Sequence, residues 1–314
     1  MADVVEVRGL WKQFGKFSAL AGLDLAIPEG SLFAVVGANG AGKTTLFSVL
    51  GGFLRATAGE WRVLGMQAPE GGQLRARLGM LPQDAAFLAG VPVLEQLIFC
   101  ARLQGLGPHA ARKECMRTLE AVGLAEVAER NPRALSHGML KRVALAQAFI
   151  GNPELVFLDE PTAGLDPETA RRVRDLVRSM KGTRTVVISS HNLLELQELC
   201  THVAVIHQGR TVSSGSMVDI ASCGVVFRVL LEEEPSPALL SALRALPEVA
   251  HAESRSGELH LGARPGTQRR EAAAAVLGLL LAEGLPPRRF QEGTTLEEHF
   301  LASVGGTSDG LGGS

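Results

Sequence analysis

The octapeptide Gly37-Ala38-Asn39-Gly40-Ala41-Gly42-Lys43-Thr44 fits the pattern G-x-x-x-x-G-K-[ST] without a mismatch. Its surroundings make it the strongest constraint on how this chain folds. Leu32-Phe33-Ala34-Val35-Val36 contains no polar residue, as expected of a strand buried on both faces of a parallel sheet, and Thr45-Leu46-Phe47-Ser48-Val49-Leu50 begins a helical pattern. A strand, a glycine-rich turn and a helix N-terminus, in that order, surround an anion with backbone N–H groups. Lys43 is long enough to reach the β and γ oxygens of a nucleotide, and the Thr44 hydroxyl can ligate Mg²⁺. The nucleotide-binding set read from this segment is Gly37, Ala38, Asn39, Gly40, Ala41, Gly42, Lys43, Thr44 and Thr45.

A second constellation runs from Leu135 to Asp166. Leu155-Val156-Phe157-Leu158 is another apolar strand, and it delivers Asp159 and Glu160 at its end. A buried strand carrying one Asp to a metal shell suits Asp159 as a Mg²⁺ ligand, and Glu160 is placed to polarise an attacking water. Pro161 to Asp166 then forms a tight turn ending in another carboxylate. The start of the run, Leu135-Ser136-His137-Gly138-Met139, is a Ser-x-Gly turn opening a helix: a phosphate-binding device with no obvious partner in its own chain.

Length and composition bound the remainder. The 314 residues suffice for one large domain and a smaller one. Thirty-one basic and 33 acidic residues leave a net charge of −2, which gives no electrostatic footprint for nucleic acid. No apolar run approaches the ~20 residues needed to span a bilayer, and the N-terminus lacks a signal region. The most apolar segment, Ala272 to Ala282, is flanked by charge and reads as an amphipathic helix. Four scattered cysteines (Cys100, Cys115, Cys200, Cys223) form no C-x-x-C pair and read as reduced packing residues. The expectation is a cytosolic chain whose membrane role, if any, comes through a partner.

Along the chain, Val4-Val5-Glu6-Val7 and Leu23 to Ile27 read as edge strands. Residues from about 91 to 150 read as a helical insertion, punctuated by Gly105-Leu106-Gly107-Pro108 and Asn131-Pro132. Strand patterns return at Leu155–Leu158, Thr185–Ile188 and Val203–Ile206, separated by helical segments as in a parallel sheet with crossovers. A turn-rich stretch from Gln208 to Ser216 closes this domain, residues 1–216. Residues 217–304 read as a small α+β, ferredoxin-like module. Its strands are placed at Val225–Leu231, Glu248–His251, Glu258–Leu261 and Arg289–Gln291, its helices at Pro237–Leu246 and Gln268–Glu283, with a last capped helix over Thr294–Phe300. The tail, residues 305–314, is Gly/Ser-rich and expected to be disordered.

Taken together, Gly37–Thr44, Leu135–Met139, Leu158-Asp159-Glu160-Pro161-Thr162, Gly164-Leu165-Asp166 and the isolated His191 occur in the order and spacing of ABC ATPases, and residues 4–216 resemble that family. The C-terminal module, ending in Thr295-Leu296-Glu297-Glu298-His299-Phe300-Leu301, looks like the extension on ATP-binding subunits of ABC-2-type exporters. The stretches Val91–Leu97 and Ala101–Leu106 also resemble that subfamily. The resemblance implies a P-loop NTPase α/β fold with a parallel sheet core, an antiparallel β subdomain and a helical subdomain. It implies ATP and Mg²⁺ as ligands and ATP hydrolysis driving closure of a dimer, homomeric or heteromeric, bound to membrane-spanning subunits on the cytoplasmic face of the membrane.

Further roles are carried by the resemblance. Gln83, after Met80-Leu81-Pro82, matches the glutamine that contacts Mg²⁺ and water where the membrane partner docks. His191 matches the switch histidine at the γ-phosphate, Asp166 the aspartate that crosses the dimer interface, and Phe14 the aromatic that stacks on adenine. Ser136 and Gly138 match the residues that bind the γ-phosphate held by the opposite subunit. Two positions depart from the family's L-S-G-G-Q: His137 replaces a glycine and Met139 a glutamine. Activity is expected to survive both. A weakly catalytic or regulatory member of a heterodimer, and a soluble ABC protein working on nucleic acid or ribosomes, are the competing classes; one cassette without sustained heptads or a basic patch disfavours the last.

Overall fold

The computed structural model describes residues 2–70, 72–190, 192–217, 226–255, 257–264 and 267–292. The chain divides into two compact units, Met1–Ser216 and Met217–Ser314.

The first unit is built on a six-stranded sheet. Its strands are β3 (Leu32–Val36), β6 (Leu78–Leu81), β7 (Leu155–Asp159), β8 (Thr185–Ser189), β9 (His202–His207) and β10 (Arg210–Ser216), in the spatial order β10-β9-β3-β8-β7-β6. Strands β3, β7 and β8 are buried at every residue, as strands covered on both faces must be. β3, β6, β7, β8 and β9 run parallel, and β10 pairs antiparallel with β9. The register aligns Val35 with Ser189 and Ser189 with Asp159, so the glycine-rich turn after β3 and the carboxylates after β7 leave the same edge of the sheet.

Two expectations need correction here. The segment read as a turn-rich closure holds a turn only at Gln208-Gly209; Arg210–Ser216 forms edge strand β10. Its Thr/Ser/Gly composition hides a strand because an edge strand needs few apolar residues, and most of β10 is incompletely buried. The N-terminal strands form the antiparallel sheet that the family resemblance implies, but the first of them is flanked on both sides and is not an edge. β1 (Asp3–Phe14) and β2 (Phe17–Pro28) pair antiparallel, and with β4 (Ala58–Val63) and β5 (Met66–Gln67) make the order β2-β1-β4-β5. Register shifts in the β1–β2 pair bend these long strands, and one apolar face joins a core with β3, β7 and helix α1 (Lys43–Leu50). Within that core the rings of Phe47 and Phe157 lie 5.0 Å apart, tying α1 to β7.

The segment read as a helical insertion holds α2 (Val93–Leu103), α3 (Pro108–Ala121) and α4 (His137–Ala148), with single 3₁₀ turns at Ala125–Val127 and Pro132–Ala134. α3 starts with Pro108 at its first turn, where the missing N–H costs nothing. Back in the core, α5 (Pro167–Arg178) also has Pro in its first turn and is capped by the Asp166 carboxylate, which accepts from Thr169 N at 3.0 Å. α6 (Leu193–Leu199) follows β8.

The second unit follows the order β11 (Val226–Leu230), α7 (Pro237–Ala245), β12 (Val249–Arg255), β13 (Glu258–Ala263), α8 (Arg269–Ala282), β14 (Arg289–Glu292). All neighbours in its β12-β13-β11-β14 sheet pair antiparallel, the arrangement of a ferredoxin-like βαββαβ module. Phe227, Val229, Leu259 and Leu261 pack with Leu243, Val276 and Leu280 in a core of its own. The expected helix Thr294–Phe300 and the tail 305–314 lie outside the described residues. Among the described residues no helix is long and apolar enough to cross a membrane, and Cys100, Cys115 and Cys200 are free. Burial pushes the thiols of Cys115 and Cys200 up to about 12, so they pack rather than react. Cys223 lies outside the described residues.

Candidate functional site: a nucleotide cleft at the carboxyl ends of the sheet

Four adjacent parallel strands, β3, β8, β7 and β6, end at one edge, and each delivers part of the site: the glycine-rich turn, Ser189-Ser190, Asp159-Glu160 and Gln83. Ligands of open α/β sheets bind at the carboxyl ends of the strands. A cleft of about 460 Å³ lies there, lined by Asn39, Gly40, Gly42, Lys43, Thr44, Thr45, Gln83, Glu160 and Ala163, with Phe17 and Ala19 contributed by β2.

The turn holds its shape through backbone that a side chain would obstruct. Gly42, which precedes α1, has φ +108°, and a Cβ there would stand 2.5 Å from the carbonyl oxygen of Ala19. A Cβ at Gly37 would stand 2.5 Å from the Ile206 carbonyl oxygen. Lys43 folds back over the turn and donates to the carbonyls of Gly37 at 2.7 Å and Ala38 at 3.2 Å. Burial draws its ammonium below the ordinary lysine range, and the charges of Glu160 and then Asp159 push it back.

Asp159 is almost wholly buried and is held at both oxygens: Thr44 Oγ1 donates to Oδ2 at 2.6 Å, and Ser189 Oγ donates to Oδ1. Glu160 takes φ +50°, a left-handed conformation uncommon outside glycine. Its N–H donates to Ser189 O at 3.2 Å and Ser189 Oγ at 3.0 Å. A hydroxyl and a buried carboxylate 2.6 Å apart are hard oxygen donors of the kind Mg²⁺ takes when phosphates and waters complete its shell. Among the described residues, no group of three or more His, Cys, Asp or Glu is arranged to hold a metal.

Ser136, Gly138 and Asp166 do not line this cleft. Ser136 caps α4, its Oγ accepting from Met139 N at 3.2 Å, and both it and His137 are exposed. The first turn of α4 packs on the turn before α5: a Cβ at Gly164 would meet His137 Nε2 at 3.4 Å, and one at Gly138 would meet Leu165 Cδ2 at 3.5 Å. The departure from glycine at residue 137 is thus accommodated against the chain's own Gly164. His191 lies outside the described residues.

Two residues of the site escaped the sequence reading. Ser189, the polar end of an apolar strand, is a shared anchor for Asp159 and Glu160. Phe17 lines the cleft, whereas the sequence pointed to Phe14, its ladder partner across the β1–β2 turn. The Lys12 ammonium lies 5.0 Å from the centre of the Phe14 ring.

Comparison with known proteins agrees with this geometry. The family model described as ABC transporter matches residues 20–163. The daunorubicin resistance ATP-binding protein DrrA3 of Streptomyces coeruleorubidus is 35% identical over 311 residues, 97% of each chain. The linearmycin resistance ATP-binding protein LnrL of Bacillus subtilis is 30% identical over 78% of this chain and 80% of its own. Among solved structures, cbiO1 of Clostridium perfringens, part of the ABC transporter complex cbiONQ, is 27% identical and superposes with a TM-score of 0.63 over 71% of this chain and 92% of its own. The MJ0796 cassette, a dimer in a post-hydrolysis state with ADP and Pi, shares the fold at 22% identity and a TM-score of 0.63, over 68% of this chain and 98% of its own. The chain belongs to the ABC transporter family of ATP-binding proteins.

Proposed function

We propose that this chain is the motor of an exporter whose membrane-spanning subunits are separate chains, and that it works as a dimer on the cytoplasmic face of the membrane. The partition of the site carries this reading. Lys43, Thr44, Asp159 and Glu160 gather at one cleft, while the exposed Ser136 cap lies outside it, so a second copy or a paralogue is needed to bring a Ser136 to each nucleotide. In this reading ATP lies between the turn Gly37–Thr45 of one chain and Ser136 and Gly138 of the other, with Asp166 at the interface. Phe17, or Phe14 beside it, supplies the face on which adenine stacks.

Thr44, Asp159 and Gln83 would hold Mg²⁺, which supplies neutralisation of charge on the phosphates. The chain's own residues do the rest. Lys43 leaves the carbonyls of Gly37 and Ala38 for phosphate oxygens, Glu160 orients and deprotonates the attacking water, and His191 steadies the γ-phosphate.

The partner surface fits the exposed side chains Leu88, Phe99 and Leu103, which are 70%, 64% and 54% exposed. Leu88 and α2 are joined, since the Gln96 amide accepts from Leu88 N at 2.8 Å and donates to Leu88 O at 3.1 Å. Apolar groups of this size held in water on one helix and its neighbouring loop mark an interaction face. The resistance proteins among the relatives favour an amphipathic organic cargo. The test is ATP-dependent efflux of daunorubicin from vesicles holding this chain and the membrane protein that co-purifies with it. Glu160→Gln is expected to lower turnover at least ~100-fold while ATP still binds. Unchanged turnover in that variant, or recovery of ribosomes in place of a membrane protein, overturns the reading.

A further inference from the structure

Among the described residues, four charged residues are buried as a whole: Lys43, Asp159, Glu160 and Lys141. Three have a role in the nucleotide cleft. Lys141 has none, yet it is only 9% exposed, on the helix α4 that Ser136 caps. A buried ammonium is retained only where fixed acceptors and opposite charge surround it. Its acceptor is the backbone carbonyl of Gln83, 3.5 Å from Nζ, and Gln83 lines the cleft. Burial draws its ammonium below the ordinary lysine range, and the charges of Asp159, Glu160 and Asp84 push it partly back.

We propose that Lys141 is a positioning residue for hydrolysis, tying the backbone of Gln83 to the helix that carries Ser136, so that engagement of Ser136 with a second chain's nucleotide fixes the Gln83 loop at the cleft. The inference rests on the composite-site reading above and adds a route between its halves. Lys141 lies five residues beyond Ser136 on α4, a rigid path of about 7.5 Å at helical rise. Nearer its far end, the loop after β6 is also joined to α2 by the Gln96 bonds to Leu88 and Val91. A route through Lys141 fixes the loop at the residue that faces the cleft.

The experiment uses the full-length chain. Lys141→Met is expected to lower kcat for ATP about 10-fold with KM within about 2-fold, and Lys141→Arg, which keeps a charged donor, to restore kcat to within about 3-fold of wild type. ATP affinity, measured by equilibrium binding in the non-hydrolysing Glu160→Gln chain, is expected to change less than about 2-fold on adding Lys141→Met. If Lys141→Met does not fold, Lys141→Gln replaces it, with kcat expected to fall at least ~3-fold. Unchanged kcat overturns the proposal. So does a fall in ATP affinity and melting temperature that Lys141→Arg does not repair, because Lys141 is then a structural ion. Failure of the composite-site reading itself is seen separately, as turnover left unchanged by Ser136→Ala.

Discussion

Glu160 combines what sequence gives with what it hides. Its position after an apolar strand names it as a carboxylate of the site, but nothing in Leu158-Asp159-Glu160 announces a left-handed backbone. A non-glycine residue held there costs about 1 kcal/mol or more and persists only where its neighbours over-determine it. Here the Ser189 carbonyl and hydroxyl do so by receiving the Glu160 N–H. The same limit explains the aromatic residues. The family resemblance points to Phe14, but which of two ring faces reaches the cleft depends on the strand register, with Phe14 opposite Phe17 at the close of the ladder. Stacking on an aromatic contributes roughly 0.5–1.5 kcal/mol. Phe17→Ala is therefore expected to weaken ATP binding about 3- to 10-fold, and more than Phe14→Ala does, as read by equilibrium titration of each variant.

At the scale of elements, the legible parts were those with a strong period or a motif: β3, β7, β8 and β9, the helical segment and the alternation of the C-terminal module. β6 and β10 were not, because four residues with a central glycine, or seven rich in Ser and Thr, become strands only through the neighbours they pair with. Joints between elements were equally hidden. Glu114 on α3 accepts from Arg117 at 2.6 and 2.8 Å and from Gly151 N at 3.0 Å, fastening α3 to the turn beyond α4. The Arg117 bonds, foremost, hold its carboxyl below the usual glutamate range. A depressed folded-state pKa stabilises above the unfolded value, near 4.3, and that contribution is lost as pH falls through the folded value. Glu114→Gln is expected to cost about 1 kcal/mol at pH 7, and the gap to wild type in a denaturant titration should close as pH drops below about 4.

For the whole molecule, the two units have separate cores, one around Phe33, Phe47 and Phe157 and one around Phe227, Leu243 and Leu261. A chain ending at Ser216 is accordingly expected to fold and bind ATP within about 3-fold of the full chain, checked by thermal melting with and without nucleotide. What a single sequence could not give is the second half of each site, since nothing in one chain fixes its partner. The placement of Ser136 outside the cleft carries a consequence for mixed populations. If every working site borrows from two chains, activity is a property of pairs, and an inert chain silences its partner. Co-expressing wild type with an excess of the Glu160→Gln chain should reduce vesicle efflux more steeply than the wild-type fraction itself falls, approaching its square when both sites of a pair must fire. A strictly proportional decline would mean that each chain acts for itself. A defective copy of this gene product would then be merely absent, whereas shared sites make it dominant.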